Sequence, residues 1–189
     1  MGALLLGVIV VVVLVVVLVL SVIIGSYNGL VRRRNRVDNA WSQVDVQLKR
    51  RHDLVPNLVA TVQGYATHER QTFQAVTDAR AKAMSAQGPA EKSAAEASLT
   101  GAVQGLVLVA EAYPDLKASQ NFKSLQDELG DVENRIAYAR QFYNDAVMGY
   151  NTATETFPRS LIAGVFGFSP RQFFEAAAGD RDAVAVKFN

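Results

Sequence analysis

The chain has 189 residues, of which 50% are hydrophobic, and it carries 19 Lys or Arg against 18 Asp or Glu. The resulting net charge of +1 argues against a nucleic-acid-binding surface, because such a surface needs a basic stripe. Cys is absent, which removes the nucleophile of thiol enzymes and fits a reducing compartment without proving one.

The N-terminal segment, Ala3 to Ile24, is an uninterrupted apolar run without a charged residue. At about 1.5 Å per residue, a helix of this length measures about 33 Å, which is enough to cross a hydrocarbon core of about 30 Å. The run therefore predicts a transmembrane anchor over residues 1–25, with insertion favoured by roughly 10 kcal/mol. A cleaved signal peptide is the lesser alternative, because the run is long and no basic residue precedes it.

Basic residues follow the anchor closely. Short basic flanks stay in the cytoplasm, so the N-terminus is expected outside and the rest of the chain inside. The same side chains are candidate contacts for anionic lipid headgroups, at about 1 kcal/mol each, although a role in topology alone is an equal alternative. These candidates are Arg32, Arg33, Arg34 and Arg36. A second basic cluster, Lys49-Arg50-Arg51, follows.

Helical periodicity begins where the apolar run ends. The anchor is therefore expected to continue as one rod to His52, after which Asp53 and Pro56 predict either a new helix start or a kink. From Leu54 the helical pattern resumes and is expected to end near Gln87. The apolar stripe of the first part consists of Leu30, Val37, Trp41, Val44 and Leu48.

Two more long helices are expected. An Ala-rich helix runs from about Ala90 to Ala112, where Tyr113-Pro114 breaks it. In that helix Gly101 and Gly105 lie four residues apart, which predicts close packing on a neighbour within the bundle. The last helix can be capped by Ser119 or Asn121 and ends at Phe157-Pro158.

These segments predict an all-α fold, in which one N-terminal transmembrane helix continues into an antiparallel three- or four-helix up-and-down bundle. The bundle is assigned to residues 26–158 and a Phe-rich C-terminal segment to residues 159–189. Within that segment, strand-like alternation occurs only in Ala183 to Phe188.

The sequence contains no catalytic or metal-binding motif that we recognise. The two histidines are His52 and His68, and Thr72 stands where H-E-x-x-H would need the second histidine. We therefore expect no enzymatic activity, no cofactor and no metal site. A cluster of carboxylates is read as a solvated helix face rather than a metal cluster: Asp127, Glu128, Asp131 and Glu133.

Tyr-Asn pairs and phenylalanines form a candidate interaction face. Hydrogen bonding between helices is the preferred interpretation of the Tyr-Asn pairs, and capping of the bundle end that of the phenylalanines. A surface for a protein or a membrane is the alternative. The candidate residues are Tyr143, Asn144, Tyr150, Asn151, Phe166, Phe168, Phe173 and Phe174.

Several motifs resemble those of the LemA family of bacterial membrane proteins. They are Y-N-G-L-V-R-R-R-N-R-V-D-N-A-W-S-Q-V-D-V-Q-L-K-R-R-H-D-L-V-P-N-L-V from Tyr27, A-E-A-Y-P-D-L-K-A from Ala110, E-N-R-I-A-Y-A-R-Q-F-Y-N from Glu133, Y-N at Tyr150, and F-G-F followed by F-F-E-A from Phe166. The similarity extends from Tyr27 to about Phe188 and is weakest over Ala83 to Ser98. It implies a single-pass protein of the bacterial cell (inner) membrane, with a cytoplasmic helical bundle and no catalytic residues.

The leading functional hypothesis is a membrane-anchored structural or scaffolding protein that self-associates as a homo-oligomer. Its expected partners are membrane lipids and further copies of itself, with no nucleic acid. One alternative is an adaptor or regulator of a partner membrane protein. Another is a lipid-sensing or membrane-organising protein that uses the arginines and the Phe-rich segment.

Overall fold

The computed structural model describes residues 1–175, which form α-helices and no β-strand. This confirms the all-α prediction. The strand-like stretch at 183–188 and residues 176–189 of the C-terminal segment lie outside the described residues. The helices are α1 Gly2–Gln63, α2 Arg70–Ser85, α3 Gly88–Glu111, α4 Pro114–Ala118, α5 Gln120–Glu155 and α6 Arg159–Phe166.

The chain divides into two compact units. The anchor unit comprises Met1–Asn39 and Asp145–Arg171. The bundle unit comprises Ala40–Asn144 together with the described part of the segment that begins at Gln172. Both units therefore take part of α1 and part of α5.

In the bundle unit, helix directions follow from pairs of contacting residues. Trp41 contacts Tyr143 and Arg50 pairs with Glu128, so α1 and α5 are antiparallel. Asp45 of α1 pairs with Lys92 of α3, and Arg51, further along α1, bonds to Thr100, further along α3, so these two helices are parallel. Because α2 packs on α3 and joins it through a short turn, the bundle has the up-down-up-down order. Its largest fully buried side chains are Val44, Leu48, Val55, Leu58, Val62, Val76, Leu99, Leu106, Leu116 and Val132.

Helix α1 runs without interruption through Pro56, so the new helix start expected as one alternative at Asp53 does not form. A proline has no N–H to donate to the carbonyl four residues earlier, which here belongs to His52. Arg80 of α2 donates its Nε–H to that carbonyl at 2.7 Å. A partner from another helix thus satisfies the acceptor that the proline leaves open.

The helix break lies instead between Gln63 and Arg70, inside a stretch for which the sequence predicts a helix as far as Gln87. Gly64 directly follows α1, and glycine is a poor helix former because its backbone loses more entropy on ordering. The chain turns here with a bond from Ala66 N to Val62 O of 2.9 Å. The C-terminal ends of the later long helices agree with the sequence, since α3 ends at Glu111 before Tyr113-Pro114 and α5 ends at Glu155 before Phe157-Pro158. The short helices α4 and α6 were not predicted.

In the anchor unit, α1 changes character after Ile24. The large side chains from Leu4 to Ile24 are mostly exposed, and by length and composition this helix can cross a membrane. Beyond it, α1 buries Leu30 and Val37. The turn after α6 depends on Gly167, whose φ of 71° favours glycine, while Phe168 N bonds to Ala163 O at 3.0 Å. Other buried residues of this unit are Val147, Tyr150, Ala153, Ala163 and Phe168.

Candidate membrane-proximal site

Three of the four predicted arginines line one pocket of about 370 Å³ in the anchor unit. A fourth guanidinium comes from Arg159, the first residue of α6. We call this site the arginine pocket. Its lining residues are Gly29, Arg32, Arg33, Arg36, Asp145, Ala146, Gly149 and Arg159.

The spacing of the α1 residues places them on one face of the helix, since residues three and four apart are neighbours there. Arg33 Nη1 donates to the carbonyl of Gly149 at 3.2 Å. A Cβ at Gly149 would lie 3.5 Å from Arg33 Nη1, and one at Gly29 would lie 3.9 Å from Arg159 Nε. Both are ordinary van der Waals distances, so the Arg33 and Arg159 guanidinium groups lie against the backbones of α5 and α1 without requiring glycine there.

Four guanidinium groups and one carboxylate give the arginine pocket a formal charge of +3. Arginine keeps its charge in proteins, and its planar donors match the oxygens of phosphate and carboxylate. Such charge-assisted bonds are about twice as strong as bonds between neutral groups. The pocket is thus suited to an oxyanion.

Arg34 has a different environment from its three neighbours in the sequence. Its guanidinium carbon lies 5.4 Å from the centre of the Phe168 ring, as in a cation–π contact. The Tyr27 ring meets Phe166 and Phe168 edge-on, with ring centres 5.0 and 5.6 Å apart. Three aromatic rings and one guanidinium therefore form a cluster where α1 leaves its apolar run.

Asn151 binds the backbone at the end of the anchor unit, and the preceding residue, Tyr150, is buried. The Asn151 amide clamps the backbone of Arg171, since Nδ2 donates to its carbonyl at 2.9 Å and Oδ1 accepts from its N–H at 2.8 Å. The Arg171 side chain pairs with Asp38 at 3.2 Å. Burial raises the pKa of Tyr150, and Asp38 adds to this, while Arg171 and Arg34 lower it.

In the bundle unit, Tyr143 and Asn144 make comparable bonds. The Tyr143 hydroxyl donates to the Gln172 carbonyl at 2.8 Å, and Asn144 makes two bonds of 2.9 Å to the backbone of Phe174. Phe174 is buried, with its ring centre 6.0 Å from that of Trp41, whereas Phe173 is 43% exposed. The wider interaction face proposed from the sequence stays a prediction.

Sequence reasoning missed a buried ion-pair cluster in the bundle unit. Arg51 is only 2% exposed and its guanidinium lies 3.1 Å from Glu96, 2.9 Å from Glu133 and 2.7 Å from the Thr100 hydroxyl. His52 Nε2 lies 2.6 Å from the other oxygen of Glu96. Among residues 1–175, no group of three His, Cys, Asp or Glu side chains could hold a metal ion.

The spacing of Arg51, His52 and Glu96 relative to buried apolar residues could have predicted this cluster. Arg51 and His52 follow Leu48 by three and four residues, on the buried stripe of α1, and Glu96 precedes buried Leu99 by three. The cluster Lys49-Arg50-Arg51 therefore splits, because Arg50 is half exposed while Arg51 is buried. Charged residues in a core register indicate a buried pair rather than a basic surface.

The fold is thus an all-α one with an exposed apolar N-terminal helix, an arginine-lined pocket beyond it and a four-helix bundle. Residues 40–188 match the family model of LemA, and the chain belongs to the LemA family. Together with the apolar helix, this indicates a membrane location.

Several named relatives are similar over most of the chain. Magnetosome protein MamQ of Magnetospirillum gryphiswaldense is 25% identical over 188 residues, covering 85% of this chain and 69% of the relative. Magnetosome protein MamQ 2 of Paramagnetospirillum magneticum is 28% identical with the same coverage. Protein LemA of Metamycoplasma hominis is 27% identical over 164 residues, covering 85% of this chain and 74% of the relative.

Proposed function

We propose that this LemA-family chain is a membrane-organising protein, without catalytic activity of its own, that gathers anionic lipids at the point where α1 leaves the bilayer. The observation that carries the proposal is the arginine pocket, with its formal charge of +3. The phosphate group of a lipid headgroup is an oxyanion of the kind that such a pocket suits.

The depth of the arginine pocket relative to the apolar run supports a headgroup as the ligand. Arg32 follows Ile24 by eight residues, which is about 12 Å along a helix. The headgroup region extends about 5–7 Å beyond the hydrocarbon core on each side. Helical side chains point back towards the N-terminus, and long arginines extend their charge towards the interface. The guanidinium group of Arg32, the first of the pocket arginines along α1, is therefore placed to approach lipid phosphates.

Lipid selectivity of the full chain in nanodiscs tests this proposal. The measurement is the ratio of phosphatidylglycerol to phosphatidylcholine retained by the protein, determined by native mass spectrometry. Arg159→Gln removes one charge from the arginine pocket, whereas Arg34→Gln removes the same charge from the Phe168 contact. At about 1 kcal/mol per basic residue, Arg159→Gln should lower the selectivity about fivefold.

Arg34→Gln is the control variant, because it removes the same charge outside the arginine pocket. Arg34→Gln should lower the selectivity by clearly less than Arg159→Gln, because only Arg159 lines the pocket. Equal losses of selectivity in the two variants would mean that the arginines attract anionic lipid only through their overall charge and that the pocket is not a specific site. Unchanged selectivity in both would contradict headgroup binding altogether.

The proposal includes an orientation with the N-terminus outside and the bundle in the cytoplasm of a bacterial inner membrane. The support is the four arginines that follow the apolar run. Since the chain has no Cys, Gly2→Cys and Lys123→Cys each supply a single labelling site. A membrane-impermeant maleimide applied to intact cells should label Gly2→Cys alone, and labelling of Lys123→Cys alone would reverse the orientation.

Self-association is a second candidate function, favoured by the outer face of α3. Leu108 is 71% exposed and, with Val103 and Val107, lines a shallow groove of about 390 Å³. No charged residue occurs from Ala97 to Ala110, so two copies of this face would meet without like-charge repulsion. Anchoring in one membrane also raises the effective concentration of the copies.

The mass of the full chain in detergent, measured over a range of concentrations, tests self-association. Leu108→Glu should give a monomer, because it places a charge in the contact. Met84→Glu, at a methionine 56% exposed on α2, should leave the oligomer intact. A wild-type chain that stays monomeric at every concentration would remove this candidate.

A further inference from the structure

Helix α6 and the turn before it expose a group of large apolar side chains. Leu161 and Val165 lie four residues apart on α6, and are 63% and 80% exposed. Phe157 in the preceding turn is 76% exposed, and Phe166 at the end of the helix is 53% exposed. Large apolar side chains exposed together along one short segment indicate a protein or membrane contact.

The charge of the surrounding sequence fits an anionic lipid surface. From Thr156 to Phe174 the chain contains no Asp or Glu, while Arg159 and Arg171 supply two positive charges. Amphipathic segments with basic residues and exposed Leu or Phe lie in the interface plane of membranes. A neutral soluble partner would not require the absence of carboxylates over nineteen residues.

The aromatic contacts of α1 fix the depth of this helix relative to the apolar run. Phe166 meets the ring of Tyr27 at a centre distance of 5.0 Å. Tyr27 follows Ile24 by three residues, or about 4.5 Å along α1. This distance falls within the interfacial layer of about 5–7 Å, where Tyr and Trp rings are enriched. The end of α6 therefore lies at the level of the lipid headgroups.

We propose that α6 is a second membrane contact, which inserts Leu161, Val165 and Phe166 into the interfacial region beside α1. The inference rests on the proposed membrane orientation of the anchor unit and goes beyond headgroup binding, because it assigns an apolar insertion to a part of the chain far from the anchor in sequence. Arg159 joins the two contacts, since it begins α6 and lines the arginine pocket.

Site-directed spin labelling of the full chain in vesicles of phosphatidylglycerol and phosphatidylcholine tests the insertion. Val165→Cys and Met148→Cys each provide one labelling site in the Cys-free chain. Met148 is the matched control, because it is an apolar side chain 57% exposed in the same unit. The neighbouring Gly149 bonds to Arg33, whose backbone is about 13.5 Å beyond Ile24 and thus past the interfacial layer of about 5–7 Å, so we expect Met148 in water.

Oxygen concentrates in lipid and a nickel chelate stays in water, so collision rates with each report the surroundings of the label. At Val165 oxygen collisions should exceed nickel collisions, and at Met148 the order should reverse. Nickel collisions as frequent at Val165 as at Met148 would overturn the insertion. Spin–spin broadening at Val165 that increases with protein density would also overturn it, since a second copy would then cover the patch.

Phosphatidylglycerol selectivity measured on the same labelled samples separates this inference from the proposed function. A water-exposed Val165 label with selectivity intact would remove the insertion alone. A lipid-exposed label in a chain without selectivity would support the insertion and remove headgroup binding in the arginine pocket.

Discussion

The buried Glu96 carboxylate joins α3 to Arg51 and His52 of α1, and its substitution by glutamine tests the description of the core. The side chain of Glu96 is 6% exposed and receives Arg51 at 3.1 Å and His52 at 2.6 Å on separate oxygens. Glutamine keeps the size of the side chain but replaces the carboxylate with a neutral amide. Arg51 then keeps Glu133 as its only charged partner among these contacts.

The size of the effect follows from the two charge-assisted contacts that are lost or weakened. Net contributions of hydrogen bonds to charged groups are about 1.5–3 kcal/mol each, and breaking a buried ion pair costs about 3–5 kcal/mol. Because Glu133 still neutralises Arg51, we expect a loss near the lower limit, about 3 kcal/mol of the free energy of unfolding. Glu128→Gln is the control, since the Arg50–Glu128 pair is 50% and 44% exposed. Exposed pairs of this kind contribute about 0–1 kcal/mol.

Urea unfolding of the full chain in detergent micelles measures both variants. Trp41 is the single tryptophan and lies against Tyr143 and Phe174, so its fluorescence reports the bundle unit directly. Glu96→Gln should unfold at a clearly lower urea concentration than Glu128→Gln. Equal midpoints for the two variants would refute the buried cluster and return Arg51 to a surface position.

Two further substitutions test other details of the fold. Gly101→Ala should raise the free energy of unfolding by about 0.5–1 kcal/mol in the same urea assay. The reason is that a Cβ there meets no atom within 4 Å and that alanine favours the helix. A lower free energy of unfolding would mean that the site is crowded. Tyr150→Phe should flatten the alkaline loss of stability. Burial raises the pKa of Tyr150, so its contribution is complete below about pH 10 and falls as the pH rises further. Parallel pH profiles of unfolding for wild type and variant would contradict this.

Local periodicity predicted most of the fold because the apolar stripes on α1, α3 and α5 are set by short-range spacing. Contacts distant in sequence were not predictable in the same way. Pro56 signals a lost donor, but nothing local shows that Arg80 satisfies the carbonyl of His52. The spacing of Gly101 and Gly105 predicted close packing within the bundle, which is wrong, since both positions face open space in the structure.

The arginine pocket also combines a feature that the local sequence predicts with one that only the fold shows. The position of the arginines after the apolar run is a local feature, and it predicted a headgroup contact. The pocket itself depends on Arg159, which lies more than 120 residues further along the chain and reaches Gly29 only through the fold of α6. Arg33 and Arg34 are adjacent and carry the same charge, so the sequence does not distinguish them. In the structure Arg33 lines the pocket, whereas Arg34 lies over Phe168.

The relative association constant of spin-labelled phosphatidylglycerol over phosphatidylcholine, measured by electron paramagnetic resonance on the reconstituted wild-type chain, tests the central claim most directly. The arginine pocket predicts a constant above one that falls as salt is added, because salt screens the attraction between guanidinium groups and lipid phosphates. A constant of one at low salt would show that the anionic lipid is not recognised and would contradict the account.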